Sequence, residues 1–352
     1  MRRPDSARMR IAICTDAWKP QVNGVVTTLS RTCAELEKFG HELRVFSPAS
    51  GFRTFPLPSY PEIRLPWWPG PRLARLLEEF APDRLHIATE GPVGLAARAW
   101  CLRRGFRFTT SYHTRFPELV RARLPIPVEL IYRLLRWFHG RAEATLVATP
   151  HMRAHLQGYG FERLALWGRG VDTEDFSPRH RKLVDLPRPL WVYAGRLAVE
   201  KNLEAFLALA LPGSKLVIGD GPARAALQAR FPDAHFTGYQ FGTELAGWIA
   251  SGDVFVFPSR HETFGLVMLE AMACGLPVAA YPVPGPLDVV QDGVTGALRE
   301  NLHDACLAAL HLDRDAVRAA ALACSWEAAA RQFESELVPL RPPPLLSPAE
   351  ST

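Results

Sequence analysis

Short apolar runs alternate along this chain with longer amphipathic stretches, the pattern of strands buried on both faces and joined by covering helices. Arg10 to Cys14, His41 to Ser47, Leu85 to Ala88, Phe106 to Tyr112, Leu146 to Thr149 and Leu164 to Trp167 read as strands. Between them, helical spacing runs over Val25 to Phe39, Arg72 to Phe80, Gly91 to Arg104 and His151 to Gly158, while the proline- and aromatic-rich stretch Pro48 to Gly70 reads as irregular. A run rich in glycine, acid and proline, Gly168 to Pro178, looks like a linker. The alternation then restarts, with strands at Leu190 to Ala194, Lys215 to Ile218, Ala234 to Thr237, Val254 to Phe257 and Pro277 to Ala280 and helices between them, including Phe264 to Ala273. Ser325 is a candidate N-cap for a last helix ending at Leu337. This predicts an α/β protein of two Rossmann-like parallel-sheet domains, 1–170 and 171–338, followed by a disordered tail over 339–352.

Composition adds one informative asymmetry. Of 41 Lys and Arg and 36 Asp and Glu, 26 and 14 fall in residues 1–170, so that half carries +12 and the remainder −7. The basic half should seek an anionic partner: a nucleic acid, a phosphorylated acceptor or an anionic membrane surface. No apolar run reaches the length of a membrane span. Six scattered cysteines without a C-x-x-C pair fit a reducing cytosol and supply neither a zinc site nor a disulfide framework.

Candidate chemistry concentrates at the ends of the strands. In Asp253 to Ala280, Glu262 and Glu270 lie eight residues apart around a helix start, about 12 Å along the axis if the segment is helical, with first-turn amides between or beside them. Two hydroxyl acceptors flanking an anion site would suit a sugar, a diphosphate and a ribose in line; equally, Glu262 could be a helix-end charge and Glu270 the partner of an arginine. Arg196 and Lys201 follow one strand and could clamp a diphosphate, or be solvated surface charges. Gly219, Gly221 and Pro222 form a tight turn after the next strand. In the first half, Asn23-Gly24 opens a helix without a G-x-G-x-x-G motif, as a ligand loop or a plain cap, and His113 with Thr114 and Arg115 stands at a strand end. Residues 121–141 combine arginine with Ile, Leu, Trp and Phe at helical spacing, either a basic face for anionic lipid or a core-facing helix with a solvated arginine face. Trp67 and Trp68 amid prolines leave a similar choice between a membrane interface and a packed loop.

Taken together, Pro20-Gln-Val-Asn-Gly24, Ser111-Tyr-His-Thr114, Gly170-Val-Asp-Thr-Glu-Asp-Phe-Ser-Pro178, Gly195-Arg-Leu with Lys201-Asn202, Gly219-Asp-Gly-Pro222, Glu262-Thr-Phe-Gly-Leu-Val-Met-Leu-Glu270 and Ser325-Trp-Glu327 make the chain resemble the retaining glycosyltransferases of family four from Ile11 to about Leu337. Within that family it looks most like bacterial lipid-directed α-mannosyl- and glucosyltransferases and sulfolipid-synthase-like enzymes. The resemblance implies the GT-B fold, two facing Rossmann-like domains with the last helix, 325–337, crossing back to the first. It places Glu262 against the donor hexose and the amides of Phe264, Gly265 and Leu266 on sugar and phosphate. It places Glu270 on the ribose, Gly238 near the base, and Arg196 and Lys201 on the diphosphate in lieu of a metal. In the first domain it implies Gly24 on the donor phosphate side, Gln21 and Asn23 with the acceptor, and His113 beside the reacting sugar; Thr114 and Arg115 are read as further acceptor contacts.

The expected enzyme moves mannose or glucose with retention from a GDP-mannose or UDP-glucose type donor to a membrane lipid, without cofactor or metal. It would work in the cytoplasm, peripherally on the inner face of the membrane. A soluble polysaccharide or phosphorylated polyol is the alternative acceptor. A basic nucleic-acid binder would leave Glu262, Glu270 and the Gly219 turn without purpose, and the missing G-x-G-x-x-G argues against an oxidoreductase. One departure from the family is Asp288, where glutamate is more usual.

Overall fold

The computed structural model describes residues 8–21, 23–57, 60–121, 125–260 and 264–341. In chain order the first half holds β1 (Arg10–Cys14), α1 (Gly24–Lys38), β2 (Glu42–Phe46), β3 (Thr54–Leu57), β4 (Tyr60–Pro66), α2 (Gly70–Phe80), β5 (Arg84–Ile87), α3 (Pro92–Arg103), β6 (Thr109–Tyr112), α4 (Phe116–Arg121), α5 (Val128–His139), β7 (Thr145–Val147), α6 (Pro150–Gly158) and β8 (Leu164–Leu166). The second half holds β9 (Leu190–Ala194), α7 (Leu203–Leu207), β10 (Ser214–Ile218), α8 (Arg224–Arg230), β11 (His235–Gly238), α9 (Gly242–Ala250), β12 (Val254–Phe257), α10 (Leu266–Ala273), β13 (Val278–Ala280), α11 (Pro286–Val289), β14 (Gly296–Leu298), α12 (Leu302–Ala309), α13 (Arg314–Leu322) and α14 (Trp326–Glu336).

Two six-stranded sheets, each all parallel, result: β2-β1-β5-β6-β7-β8 and β11-β10-β9-β12-β13-β14. In each, the chain reverses direction beside a central strand (β1 and β9). Crevices at that reversal are where open α/β sheets take ligands. Helices cover both faces, so strands at the middle of the second sheet are apolar: β9 and β12 are buried at every position.

The last helix, α14, is capped by Ser325, whose hydroxyl accepts from Ala328 N–H at 3.0 Å. It packs on α1, with Phe333 and Leu337 sharing a core with Ile11, Ile13, Leu29 and Trp167. Burying a side chain such as Phe333 is worth about 1.5–3 kcal/mol, so the end of the chain helps fold its beginning.

Four features depart from the sequence reading. Pro48 to Gly70 is not irregular: β3 and β4 pair as an antiparallel hairpin. Its prolines disguise the strand alternation and are tolerated because a two-stranded ribbon leaves outward positions that need no N–H donor. Phe116–Arg121 forms a helix, α4, that the reading omitted. The helix expected from Phe264 starts at Leu266, because Gly265 adopts φ +86°, a left-handed value that ends α-helical geometry. Leu340, placed in the tail by the reading, is buried against the first domain and accepts from Arg107 N–H at 2.8 Å; residues 342–352 lie outside the described residues.

Candidate active site

The C-terminal ends of β9, β10 and β11 are laced backbone to backbone. Gly195 N–H donates to Ile218 O at 2.9 Å, Gly219 N–H to Gly238 O at 2.8 Å and Leu197 N–H to Asp220 O at 2.9 Å. Gly219, at φ +139°, has the Gly195 carbonyl 1.9 Å from where a Cβ would stand, so no larger residue fits. Arg196 and Lys201, both half-buried, rise from the loop between β9 and α7 that this lacing fixes. The Tyr193 hydroxyl donates to Arg196 O at 3.1 Å, and Asn202 Nδ2 donates to Pro258 O at 3.1 Å, which ties the cation loop to the end of β12. Rigid backbone therefore sets where both cations begin.

On the same edge of the sheet, α10 follows β12, the strand beside β9, and its start meets the start of α1 from the other domain. A Cβ on Gly24, the first residue of α1, would come 3.8 Å from Leu266 Cδ1, in the first turn of α10. Helix N-termini carry partial positive charge and unsatisfied N–H groups, so two of them meeting across a crevice favour an anion. At α1, Asn23 Oδ1 already accepts from Val25 and Val26 N–H at 3.0 Å each, so its oxygen caps the helix while its Nδ2 faces Gln21. No side chain among the described residues caps α10.

Glu270 lies in the second turn of α10, closer to the helix start than the sequence reading placed it. The 12 Å spacing assumed helix from Glu262 onward, and the left-handed Gly265 breaks that assumption; Glu262 itself lies outside the described residues. Burial raises the Glu270 carboxyl to about 7, against a smaller lowering by Arg31 of α1. Arg31 also donates to Asp172 Oδ2 at 2.9 Å and to Asp175 Oδ2 at 3.4 Å in the linker. The alternative of a simple Glu–Arg pair thus gives way to a longer-range influence.

In the first domain, His113 is held by residues on three sides. Its Nε2 lies 2.8 Å from Ser111 Oγ, its Nδ1 3.4 Å from Nη2 of Arg169, and its ring meets Trp167 edge to face at 5.6 Å. A guanidinium has donors only, so Nδ1 accepts and the ring proton sits on Nε2, donated to Ser111. Burial first, and then the charge of Arg169, hold the His113 pKa well below the ordinary range. Behind Ser111, His86 Nε2 lies 3.1 Å from the same Oγ and its Nδ1 2.9 Å from Thr109 Oγ1, its own pKa pushed down to about 3 by burial and by His139. His113 is thus a neutral ring of fixed tautomer.

Arg169 escaped the sequence reading because it stands in a linker of mixed polar residues. It is 8% exposed, donates to Trp167 O and Gly168 O at 2.5 and 3.0 Å and stacks on Trp167 at 4.3 Å. Burial lowers its pKa to about 9. The signal available was an arginine between two glycines just before the restart of the fold, Gly168-Arg169-Gly170. A second missed pair crosses the domains: His151 Nδ1, at the start of α6, lies 2.6 Å from Oδ1 of Asp288 in α11. The departure noted at Asp288 therefore sits at a domain–domain contact.

The acceptor candidates divide. Gln21 Nε2 donates to Asp16 O at 3.1 Å, and Asn23 Nδ2 lies 3.4 Å from Gln21 Oε1, which makes a polar edge beside Gly24; Thr114 is exposed next to His113. Arg115 is taken up instead: its Nε and Nη2 donate to Glu118 Oε1 at 3.3 and 2.8 Å, a carboxylate that also receives the Tyr132 hydroxyl at 2.8 Å. Glu118 thereby joins α4 to Tyr132 of α5 and holds Arg115 beside it, so a role for Arg115 on the acceptor side would be played from within this ion pair.

Comparison with known proteins follows this division. Residues 22–175 match the model described as Glycosyltransferase Family 4, and residues 188–312 that described as Glycosyl transferases group 1. The chain is 34% identical over 315 residues to a GDP-mannose-dependent alpha-mannosyltransferase of Mycobacterium tuberculosis, covering 82% of this chain and 83% of that one. It is 26% identical over 337 residues to an alpha-monoglucosyldiacylglycerol synthase of Streptococcus pneumoniae, covering 84% and 76%. Among solved structures, sucrose-phosphate synthase from Thermosynechococcus elongatus superposes with a TM-score of 0.74 at 22% identity, over 93% of this chain and 98% of that one. The chain belongs to glycosyltransferase family four and is a glycosyltransferase of the GT-B fold that uses a nucleotide sugar.

Proposed function

We propose that this enzyme moves mannose or glucose, with retention and without a metal, from a nucleotide sugar to a membrane lipid acceptor. The observation that carries the reading is the meeting of the α1 and α10 starts at Gly24 and Leu266, beside the loop that bears Arg196 and Lys201. A diphosphate there would be held by amides of Phe264, Gly265 and Leu266 and by two cations that offset the charge of the departing nucleotide, the task a divalent ion would otherwise perform. Glu270 would accept from the ribose hydroxyls, the turn at Gly219 and Gly238 would border the base, and Glu262 would hold the donor hexose. His113, neutral and fixed, would stand beside the reacting sugar, with Gln21, Asn23 and Thr114 on the acceptor side. The acceptor hydroxyl attacks from the face the nucleotide leaves, through an oxocarbenium-like state.

A lipid acceptor is supported by the diacylglycerol-glycosylating relative and by the +12 charge of the first half. Purified enzyme incubated with radiolabelled GDP- and UDP-sugars and a membrane-lipid extract, with and without EDTA, tests this. Labelled lipid of α configuration, undiminished by EDTA, is expected; labelled glycan or polyol in place of lipid would favour the soluble-acceptor reading.

The raised pKa of Glu270 gives a pH signature. Ribose hydroxyls bond a carboxylate more strongly than a protonated carboxyl, so nucleotide-sugar binding should weaken as pH falls below about 7, by up to about tenfold per unit. Calorimetric titration of the nucleotide sugar, whose phosphates do not titrate near neutrality, should show that slope in the native enzyme and a flat profile in Glu270→Gln. A flat native profile would remove Glu270 from the ribose. Because the folded pKa lies above the ordinary carboxyl value, the same group's contribution to stability is complete below about 4.5 and is lost as pH rises through about 7.

A further inference from the structure

Helix α5 is apolar on two sides. Ile131, Leu135 and Phe138 are buried against the first sheet, as folding requires. About a quarter-turn round the helix from that core face, Leu130, Leu134 and Trp137 are 51, 60 and 54% exposed, a second stripe at i, i+4 and i+7, and exposed Glu129, Arg133 and Arg136 occupy the side opposite the core. The charged side is what a core-facing helix presents to water; the exposed apolar stripe between it and the core is what such a helix does not need. The stripe continues onto neighbouring elements. Trp137 lies 4.1 Å above the guanidinium of Arg98 in α3, and α3 runs beside β4, which leads to Trp67 and Trp68, 73 and 82% exposed. At the other end α5 packs on α4, whose first residue, Phe116, is 51% exposed and three positions from His113.

We infer that the outer face of α5, with Phe116 at its active-site end, is the surface by which this enzyme docks on an anionic lipid bilayer. The occupant follows from the chemistry of the face. Large apolar side chains interleaved with arginine match the boundary between acyl chains and anionic headgroups, where tryptophan and arginine partition together. The half of the chain that bears the face carries +12, whereas the half with the donor site carries −7, so an anionic surface attracts the first and repels the second. This orients the molecule with the donor domain away from the lipid and brings the surroundings of His113 to the headgroups, where a lipid acceptor presents its hydroxyl. The inference rests on the lipid-acceptor reading for its purpose but not for its test.

Flotation of the full-length protein with vesicles of phosphatidylcholine, and of phosphatidylcholine with phosphatidylglycerol in equal parts, measures the docking directly. Wild type should float with the anionic vesicles and far less with the neutral ones. Leu134→Glu and Leu130→Glu should each lower the bound fraction about 10-fold or more, and Arg133→Glu about fivefold or more, with a weaker response to salt. Nucleotide affinity and Tm should be unchanged in all three, which separates lost docking from lost folding. Variants that float like wild type would overturn the assignment of this face, as would a wild type that does not float. So would light scattering that shows wild type dimeric and Leu134→Glu monomeric with flotation intact, because a second copy would then cover the stripe. If flotation follows expectation while no donor labels lipid, the docking surface stands and the lipid-acceptor reading fails.

Discussion

Replacing Arg196 with alanine is expected to lower kcat/KM about 10²- to 10³-fold while leaving Tm within a few degrees of wild type. Arg196 is half-buried in a loop whose shape is fixed by backbone bonds from Gly195 and Leu197 to the β10 turn, and by the Tyr193 hydroxyl on its carbonyl, none of which involves its guanidinium. Removing the guanidinium leaves these backbone bonds in place. What is lost is a fixed cation at the position proposed for the departing diphosphate, where negative charge grows in the transition state. Removing one such preorganised group typically costs about 2.7–4 kcal/mol of barrier lowering. Single-turnover measurement with saturating donor isolates the chemical step; a variant with full rate would dismiss Arg196 from the reaction. Glu262→Gln is expected to behave in the same direction, by the role the family resemblance gives it.

Arg169→Gln should cost about 10²-fold in kcat/KM and, more tellingly, move the acid limb of the pH profile upward. His113 is faced by Ser111, Trp167, Arg169 and, behind them, His86 and His139. Burial is the largest influence holding it neutral and the Arg169 charge the next. Without that charge the imidazole protonates at higher pH, though burial still keeps it below the ordinary value, and the ring is freed from the bond to Nδ1 that sets its tautomer. Misplacement of a reacting group by about 1 Å is enough for a loss of this size. A mutation that only loosened the fold would lower the rate equally at all pH values. Arg169→Lys, which keeps both a charge and a donor, should recover the native acid limb. Nitrogen NMR of labelled histidine in the unliganded protein reads the tautomer without reference to activity: His113 as the Nε2–H form in wild type and a mixture in Arg169→Gln.

Arg169 also connects chemistry to architecture. It belongs to the linker at Gly168 to Pro178 yet bonds a side chain at the end of β6, while Arg31 of α1 reaches Asp172 and Asp175 in the same linker. Both contacts tie the linker to the first domain. His151 and Asp288 add a further bond between the domains. We propose that closure over the donor uses the linker as its hinge and positions His113 through Arg169 as it does so; scattering with and without nucleotide would register the change in dimensions.

What the sequence determined by itself was the set of elements and the chemistry available at their ends. Period-two and period-3.6 patterns are local, so strands such as Leu190–Ala194 and Val254–Phe257 and the caps Asn23 and Ser325 were legible from neighbouring residues alone. Proline density hid the β3–β4 hairpin, and one positive φ at Gly265 moved the start of α10, because turn geometry overrides periodicity. Only the tertiary structure decided how distant residues meet. Gly24 opposes Leu266 across 242 positions of sequence, Arg169 holds His113, Tyr132 meets Glu118, and Leu134 is left facing outward. These depend on how two sheets and their covering helices pack, where burial can shift a carboxyl such as Glu270 to about 7 and silence an imidazole such as His113. Local pattern chooses the residues; packing, desolvation and the field of the surrounding charges choose what they do.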